Sequence, residues 1–356
     1  MTASWTLAVG RDDLARTALV ANPLPEPADG EAVLRVHRVG ITANNVTYAV
    51  LGDSYRYWEF FPATARGLDE RWGLPPVWGF SEVAASTVPG VEPGQRFYGY
   101  LPPATHLVVR PGRVDGQGFR DTSGNRADLP SPYNAYRRTT GDPAYEAERE
   151  DLLILFRPLF FTSYMLADHL ADQGFFGART LVLSSASSKT AYAAAFELHG
   201  TGPRVVGLTS ADNVEFTRGL GCYDEVLGYD DVASLERVPT AYLDLSGRPG
   251  VRAELREHLG DRLVHDIAVG LTSQTPNATS AAAVFFAPDQ MRKRTLDWGR
   301  AGLDERFSAA WQRFAGTAET WVDVAVGRGP QALRAAWLDV LAGHTPPRTG
   351  HVLDLR

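Results

Sequence analysis

The chain has 356 residues, a formal net charge of −7 and one cysteine, Cys222. At about 150 residues per domain this length predicts two domains, and a single cysteine excludes intramolecular disulfides, multi-cysteine zinc sites and iron–sulfur clusters. The acidic balance argues against nucleic acid as a partner, because a phosphate-tracking surface needs concentrated positive charge. The opening MTASWTLAVG has no basic segment leading into an apolar run. No apolar stretch reaches the roughly 18 residues of a membrane span. A cytoplasmic protein with no membrane partner is expected. Of the 35 basic residues only Lys189 and Lys293 are lysines.

Fourteen of the 23 prolines lie in the first 150 residues. Proline is excluded from helix interiors and central strands, so this part predicts short strands joined by turns. Glu31 to Gly40 reads as a half-buried strand, Val88 to Gly99 as two turns and an aromatic strand, and Thr105 to Arg110 as a strand ended by Pro111-Gly112. Residues 112–150 are polar and glycine-rich and predict a long loop. From Leu152 to Leu170 the chain is apolar, with a helix expected from about Phe160, beyond Arg157-Pro158. Buried-strand runs then alternate with helices. Strands are predicted at 179–184, 204–208, 224–227, 240–245 and 262–269, and helices at 187–199, 211–220 and 249–259. Helices over 287–314 and 329–341 and a strand over 351–355 close the chain. The alternation predicts an α/β fold with a parallel, doubly wound sheet.

In such sheets the first strand-to-helix turn approaches a cofactor pyrophosphate. Here it reads Ser184-Ser185-Ala186-Ser187-Ser188-Lys189-Thr190-Ala191, with Ser185, Ser188 and Ala191 where the fingerprint has glycine. Small residues keep close backbone approach open, but a left-handed backbone at Ser188 would be strained. Lys189 at a helix start opposes the dipole, which points to phosphate contact; the alternative is a solvated lysine. The turn also imitates a nucleotide-triphosphate loop with Asp244 as its magnesium-side carboxylate, but Ser188 and Leu183 replace both required glycines. The next strand ends at Thr209-Ser210 rather than at an acidic residue, which favours NADP(H) over NAD, with Lys189 and Arg218 supplying charge. The same two residues also suit a helix N-cap. The cofactor-binding set is Ser185, Ala186, Ser187, Ser188, Lys189, Thr190, Thr209, Ser210, Arg218 and Asp244.

Segments 24–51, 75–99, 179–227, 262–272 and 350–353 together resemble the medium-chain dehydrogenase/reductase superfamily. The chain is most similar to its zinc-independent quinone- and enoyl-reductase branch, in a divergent group with a serine-rich loop. The resemblance implies a GroES-like β-rich catalytic domain over 1–155, with 285–356 returning to it, and a Rossmann-like nucleotide-binding domain over 156–284. It implies no zinc: Cys222 falls in a structural turn, and the eight histidines show no paired ligand spacing. It places Asn44, Thr47 and Tyr48 near the nicotinamide, with Tyr48 as acid or substrate orienter and Asn44 or Thr47 as its hydrogen-bond partner. Tyr55, Tyr98, Tyr100, Tyr133 and Tyr164 are further cleft residues, and Trp58, Phe60 and Phe61 line or pack the 53–76 insertion. That insertion and 112–150 would lid or block a site.

The implied activity is NADP(H)-dependent reduction of an activated alkene or carbonyl of a small-molecule substrate. The alternatives are a non-redox lyase or isomerase binding a coenzyme A or phosphate ester, and a non-catalytic interaction protein. A homodimer is expected by resemblance, and 287–314 could face a second subunit.

Overall fold

Apolar runs of strand length separated by proline- and glycine-bearing turns dictate the first part of the chain. The computed structural model describes residues 4–269 and 283–356. By contact the chain forms two compact units, Met1–Leu155 with Val322–Arg356, and Phe156–Trp321.

The first unit begins with β1 (Ser4–Gly10) and β2 (Thr17–Asn22), an antiparallel pair with Leu7, Ala8 and Val9 buried. Next come β3 (Ala32–Ile41), α1 (Ala43–Val50), β4 (Trp72–Gly73), β5 (Val77–Ser86), β6 (Arg96–Leu101) and β7 (His106–Val109). The stretch expected to be a long loop instead forms β8 (Pro111–Asp115), β9 (Gly118–Asp121) and β10 (Ala135–Arg138). β8 and β9 make a hairpin, and β10 joins β9 to β6. These strands carry no apolar run to announce them. They are held by Arg126, which is 2% exposed and ion-paired to Asp121 at 3.0 Å.

A second correction concerns α2 (Glu150–Asp172), which begins before Pro158 and continues through it. Proline lacks the N–H that would bond the carbonyl of Ile154. That carbonyl lies against Gly40 of β3, 3.3 Å from where a Cβ there would stand. Buried Leu153, Leu155 and Phe156 precede the proline, so side-chain burial outweighs the missing bond.

The second unit follows the predicted alternation. It contains β11 (Thr180–Leu183), α3 (Lys189–Leu198), β12 (Arg204–Thr209), α4 (Val214–Gly219), β13 (Glu225–Gly228), β14 (Thr240–Asp244), α5 (Pro249–Leu259), β15 (Leu263–Val269) and β16 (Ala283–Phe285). All six strands are parallel, in the order β13-β12-β11-β14-β15-β16. By position in the unit this is 3-2-1-4-5-6, the doubly wound order with its switch point between the first and fourth strands. Val182, Val206, Leu208, Tyr242 and Leu255 form the core beneath one face. The resembling segment 262–272 runs into 270–282, which lie outside the described residues, and the expected boundary at 284 falls within β16.

α6 (Ala287–Ala318) is two helices divided at Gly299, whose φ is 71°. The resemblance assigned 285–356 to the first domain, but α6 groups with the second unit. The reason is aromatic burial. Phe160 of α2 meets Trp311 and Phe314 at ring separations of 5.6 and 4.6 Å, and Tyr192 of α3 meets Phe314 at 5.4 Å. One face of the segment expected to face a second subunit is therefore occupied within its own chain.

The chain returns to the first unit with β17 (Asp323–Arg328), α7 (Gly329–Leu341) and β18 (Thr349–Asp354). β18 pairs antiparallel with β3 and completes a nine-stranded sheet, β17-β18-β3-β5-β6-β10-β9-β8 with β7 on β3. Among the described residues no helix is long and apolar enough to cross a membrane.

Candidate active site

α1 has only eight residues, too few to be stable alone. Its start is fixed from both sides by Asn45. The Asn45 Oδ1 accepts from the Thr42 backbone N–H at 2.7 Å, and Nδ2 donates to the Pro76 carbonyl just before β5 at 2.8 Å. Asn44 and Tyr48, four residues apart, share one face. Asn44 Nδ2 donates to Tyr48 Oη at 2.7 Å. A second donor reaches the same oxygen from β5, Trp78 Nε1 at 3.1 Å. Thr47 is not brought to the phenol; its hydroxyl bonds back to the Ala43 carbonyl at 3.2 Å. Burial pushes the Tyr48 phenol well above its ordinary range and the neighbouring Tyr133 pushes it further, while the bonds from Trp78 and Asn44 pull it back.

Tyr48 is ringed by other tyrosines. Its centroid lies 4.7 Å from Tyr57, 5.4 Å from Tyr100 and 6.3 Å from Tyr133. Phe60 and Phe61 pack on Tyr100. Tyr57 and Tyr133 come from the two long insertions, and their hydroxyls are 3.4 Å apart. Arg126 ties the second insertion down, donating to the Tyr133 carbonyl at 2.6 Å. Tyr55 meets only the outer ring of this group, Tyr57 at 6.5 Å, and Tyr98 stacks on Trp78 at 5.7 Å. Trp58 packs instead on Gly52 and Gly73, and Tyr164 belongs to the second unit, on Phe307.

In the second unit the switch point is laced by hydrogen bonds. Ser184, just past β11, donates to Asp244 Oδ1 at 3.0 Å and accepts from the amides of Leu245 and Ser246. Asp244 also takes the Ser246 and Gly247 amides and the Ser246 hydroxyl, and pairs with Arg252 at 2.9 Å. This buried carboxylate is thus committed to holding the β14 turn. Ser184 was legible only as the start of the serine-rich turn, and Ser246, a lone serine with no spacing signal, did not stand out.

The turn after β11 takes a left-handed residue at Ser185, φ 53°, rather than at Ser188. Ser188 is an ordinary N-cap at φ −75° whose hydroxyl accepts from the Ala191 amide. The Ser185 amide donates to Tyr229 Oη at 2.9 Å, and the Ala186 amide to the Leu208 carbonyl at 3.0 Å. Ala186 can sit this deep because its neighbour on β12 is Gly207, where a Cβ would stand 2.8 Å from its methyl. Thr209 donates to Ser187 at 3.2 Å, linking the tips of β11 and β12. Ser210 accepts from Asn213, and the Thr190 carbonyl accepts from Ser163. Lys189 opens α3 half-buried, and burial lowers its ammonium to about 8.

Arg218 is spent elsewhere, on the Val226 carbonyl of β13 at 3.1 Å. Besides the Arg252 paired with Asp244, the β14 turn carries Arg248, an exposed side chain lying 4.8 Å over the Tyr229 ring. The only sequence signal for it was its position four residues after Asp244. Seryl and threonyl hydroxyls, a lysine and an arginine make a donor set matched to a polyanion. The left-handed residue leads into a helix of ten residues, whose N-terminal amides and dipole favour an anion.

Among the described residues, no group of three or more His, Cys, Asp or Glu could hold a metal ion. Cys222 is buried, and burial pushes its thiol up to about 12.

Solved structures share this fold. CurA from Vibrio vulnificus in complex with NADPH is 16% identical, with 99% of each chain covered and a TM-score of 0.60. The quinone oxidoreductase from Coxiella burnetii is 13% identical over 100% of both chains, with a TM-score of 0.54. The Etr1p/NADP/crotonyl-CoA complex is 11% identical over 99% of this chain and 100% of that one, with a TM-score of 0.60. The fold is thus that of the medium-chain dehydrogenases/reductases, a GroES-like domain and a Rossmann domain. None of the curated proteins matches the sequence. One family model covers most of the chain, residues 39–346, and the protein belongs to that family, described as "Protein of unknown function (DUF2855)".

Proposed function

We propose that the protein is a zinc-independent, NADP(H)-dependent oxidoreductase that reduces an activated alkene or carbonyl of a small molecule. The observation that carries this reading is the β11–α3 turn, a left-handed, hydroxyl-rich entry into α3 at the switch point of the doubly wound sheet. Structures of the same fold in complex with NADPH or NADP support it.

Ser187, Ser188, Lys189 and Thr190 would hold the pyrophosphate, and Thr209 and Ser210 the ribose end. Neutral donors at that strand tip leave room for a 2′-phosphate that a carboxylate would repel. When bound, the nicotinamide supplies a hydride. The chain's own part is proton supply. Tyr48 Oη already accepts from Asn44 and Trp78, so its remaining hydrogen-bonding capacity includes its own proton. Two bonds to the phenol oxygen stabilise the phenolate left when that proton moves to the substrate.

The test is NADPH binding, followed by cofactor fluorescence and thermal stabilisation. Saturable binding is expected, tighter than for NADH, and unchanged after treatment with a chelator. No binding at millimolar NADPH by either method overturns the reading. The protein is also proposed to be a homodimer joined at β16, the outer strand of the sheet, where Val284 and Phe286 are exposed. Light scattering that returns the monomer mass of 38.8 kDa at micromolar concentration overturns that part.

A further inference from the structure

Within the tyrosine cluster of the first unit one hydroxyl is left over. Tyr100 Oη is buried, on a residue 0% exposed, and makes no hydrogen bond among the described residues. An unmet buried hydroxyl costs about 1–3 kcal/mol, and a phenylalanine would fill the same space without that cost. Around it, the phenols of Tyr48, Tyr57, Tyr133 and Tyr136 are engaged. Tyr48 Oη accepts twice, Tyr57 and Tyr133 share a contact, and Tyr136 Oη donates to the Tyr100 backbone carbonyl at 2.7 Å. Tyr100 meets the Tyr48 ring edge-on, at 5.4 Å and 89°. It also packs on Trp78, the residue that donates to Tyr48, at 4.9 Å.

Tyr133 covers this pair. Its ring is 4.8 Å from Tyr100 and 6.3 Å from Tyr48. Its backbone is pinned by Arg126; its hydroxyl meets Tyr57 at 3.4 Å, and its ring otherwise packs on the aromatic rings around it. A rotation of this side chain would open the space its ring fills without moving the backbone that Arg126 holds. The space it leaves is walled by Tyr57, Phe60 and Trp78, which are flat and uncharged at their faces. Arg126, the cation behind Phe60, is neutralised by Asp121.

We propose that Tyr100 is a second hydroxyl donor beside Tyr48, and that the two bind the oxygen of a flat, neutral carbonyl compound lodged where the Tyr133 ring now lies. This rests on the reading of Tyr48 as the proton donor and adds the substrate's form to it. Only Tyr48 gives up its proton; the O–H bond of Tyr100 stays intact and stabilises the charge that grows on the substrate oxygen as hydride arrives. Carbonyl compounds with a charged group next to the ring find no counter-ion here and are excluded.

The probe is p-nitrophenolate, whose oxygen imitates the enolate and whose visible absorbance reports hydrogen bonding. Wild type should bind it, and Tyr100→Phe and Tyr48→Phe should each weaken binding by roughly tenfold to a hundredfold, the range of a hydrogen bond to a charged oxygen. Tyr100→Phe should melt no lower than wild type, which separates lost donation from lost packing. Tyr133→Ala, which removes the cover, should tighten binding. Unchanged affinity in Tyr100→Phe, weaker binding in Tyr133→Ala, or no binding by wild type overturns the proposal. NADPH titrated into the same samples keeps the two readings apart. NADPH binding without phenolate binding sinks the twin-phenol site alone, and phenolate binding without NADPH binding sinks the redox reading alone.

Discussion

Trp78 Nε1 donates to Tyr48 Oη at 3.1 Å, joining strand β5 to helix α1 at the one phenol that Asn44 also reaches. An indole is a donor only, so this bond fixes the phenol oxygen as an acceptor and leaves the Tyr48 proton to be donated elsewhere. Tyr48→Phe should therefore cut kcat by about 10²–10⁴, the usual contribution of a positioned acid, with NADPH affinity unchanged. Trp78→Phe should lower kcat less, because it removes one of two bonds to the oxygen. A Tyr48→Phe enzyme with wild-type kcat on its best substrate would remove the phenol from the mechanism.

The lysine that opens α3 yields a pH signature. Burial lowers the Lys189 ammonium to about 8, below its ordinary value, so the free protein loses this charge as pH rises through 8. A phosphate prefers the charged form, so NADPH affinity should begin to fall near pH 8 and level off at higher pH. Lys189→Gln should bind NADPH at least tenfold more weakly below pH 8 and show little pH dependence above it. A wild-type affinity that stays flat across pH 8 denies Lys189 a phosphate contact.

Much of the second unit was legible because its signals are local. A run such as Thr180–Leu183 is strand-sized and fully apolar, and the predicted bounds of α5 and α7 coincide with those of the structure. The missed features depend on partners distant in sequence. Trp78 finds Tyr48 from 30 residues away, and no spacing rule links them. The strands β8 to β10 hang on a buried arginine rather than on apolar residues. α2 survives Pro158 because of what packs around it. Arg218 looked suitable for a phosphate by its place after β12, but a nearby carbonyl claimed it, and the tertiary fold brought Arg248 to the β14 turn instead.

The Arg126–Asp121 pair should dominate the stability of the second insertion. Both side chains are within 2% of full burial, and the guanidinium also donates to Asn134, Tyr136 and the Tyr133 carbonyl. Removing one partner of a buried pair leaves an uncompensated charge and costs about 3–5 kcal/mol. Arg126→Met should therefore lower the urea midpoint sharply, and the double variant Arg126→Met/Asp121→Leu should recover part of the loss. If the double variant is as unstable as the sum of its parts, the pair is not the unit that holds the segment.

Ser185 tests the altered phosphate turn most directly. It stands at a fingerprint glycine position and holds φ 53°, where a side chain collides with its own backbone and glycine does not. The left-handed conformation costs a residue with a Cβ about 1–2 kcal/mol, and the turn tolerates this because Tyr229 accepts the Ser185 amide and Leu208 the amide that follows. Ser185→Gly should relieve the strain, stabilise the protein by about 0.5–1 kcal/mol once glycine's extra backbone entropy is set against the left-handed cost, and leave NADPH affinity within a fewfold of wild type. Ser185→Val should do the reverse, since a β-branched residue is a poorer fit still to this region. Thermal melting and NADPH titration on the two variants read both consequences together. A glycine variant less stable than wild type would mean that the serine hydroxyl contributes more to this turn than its backbone strain costs.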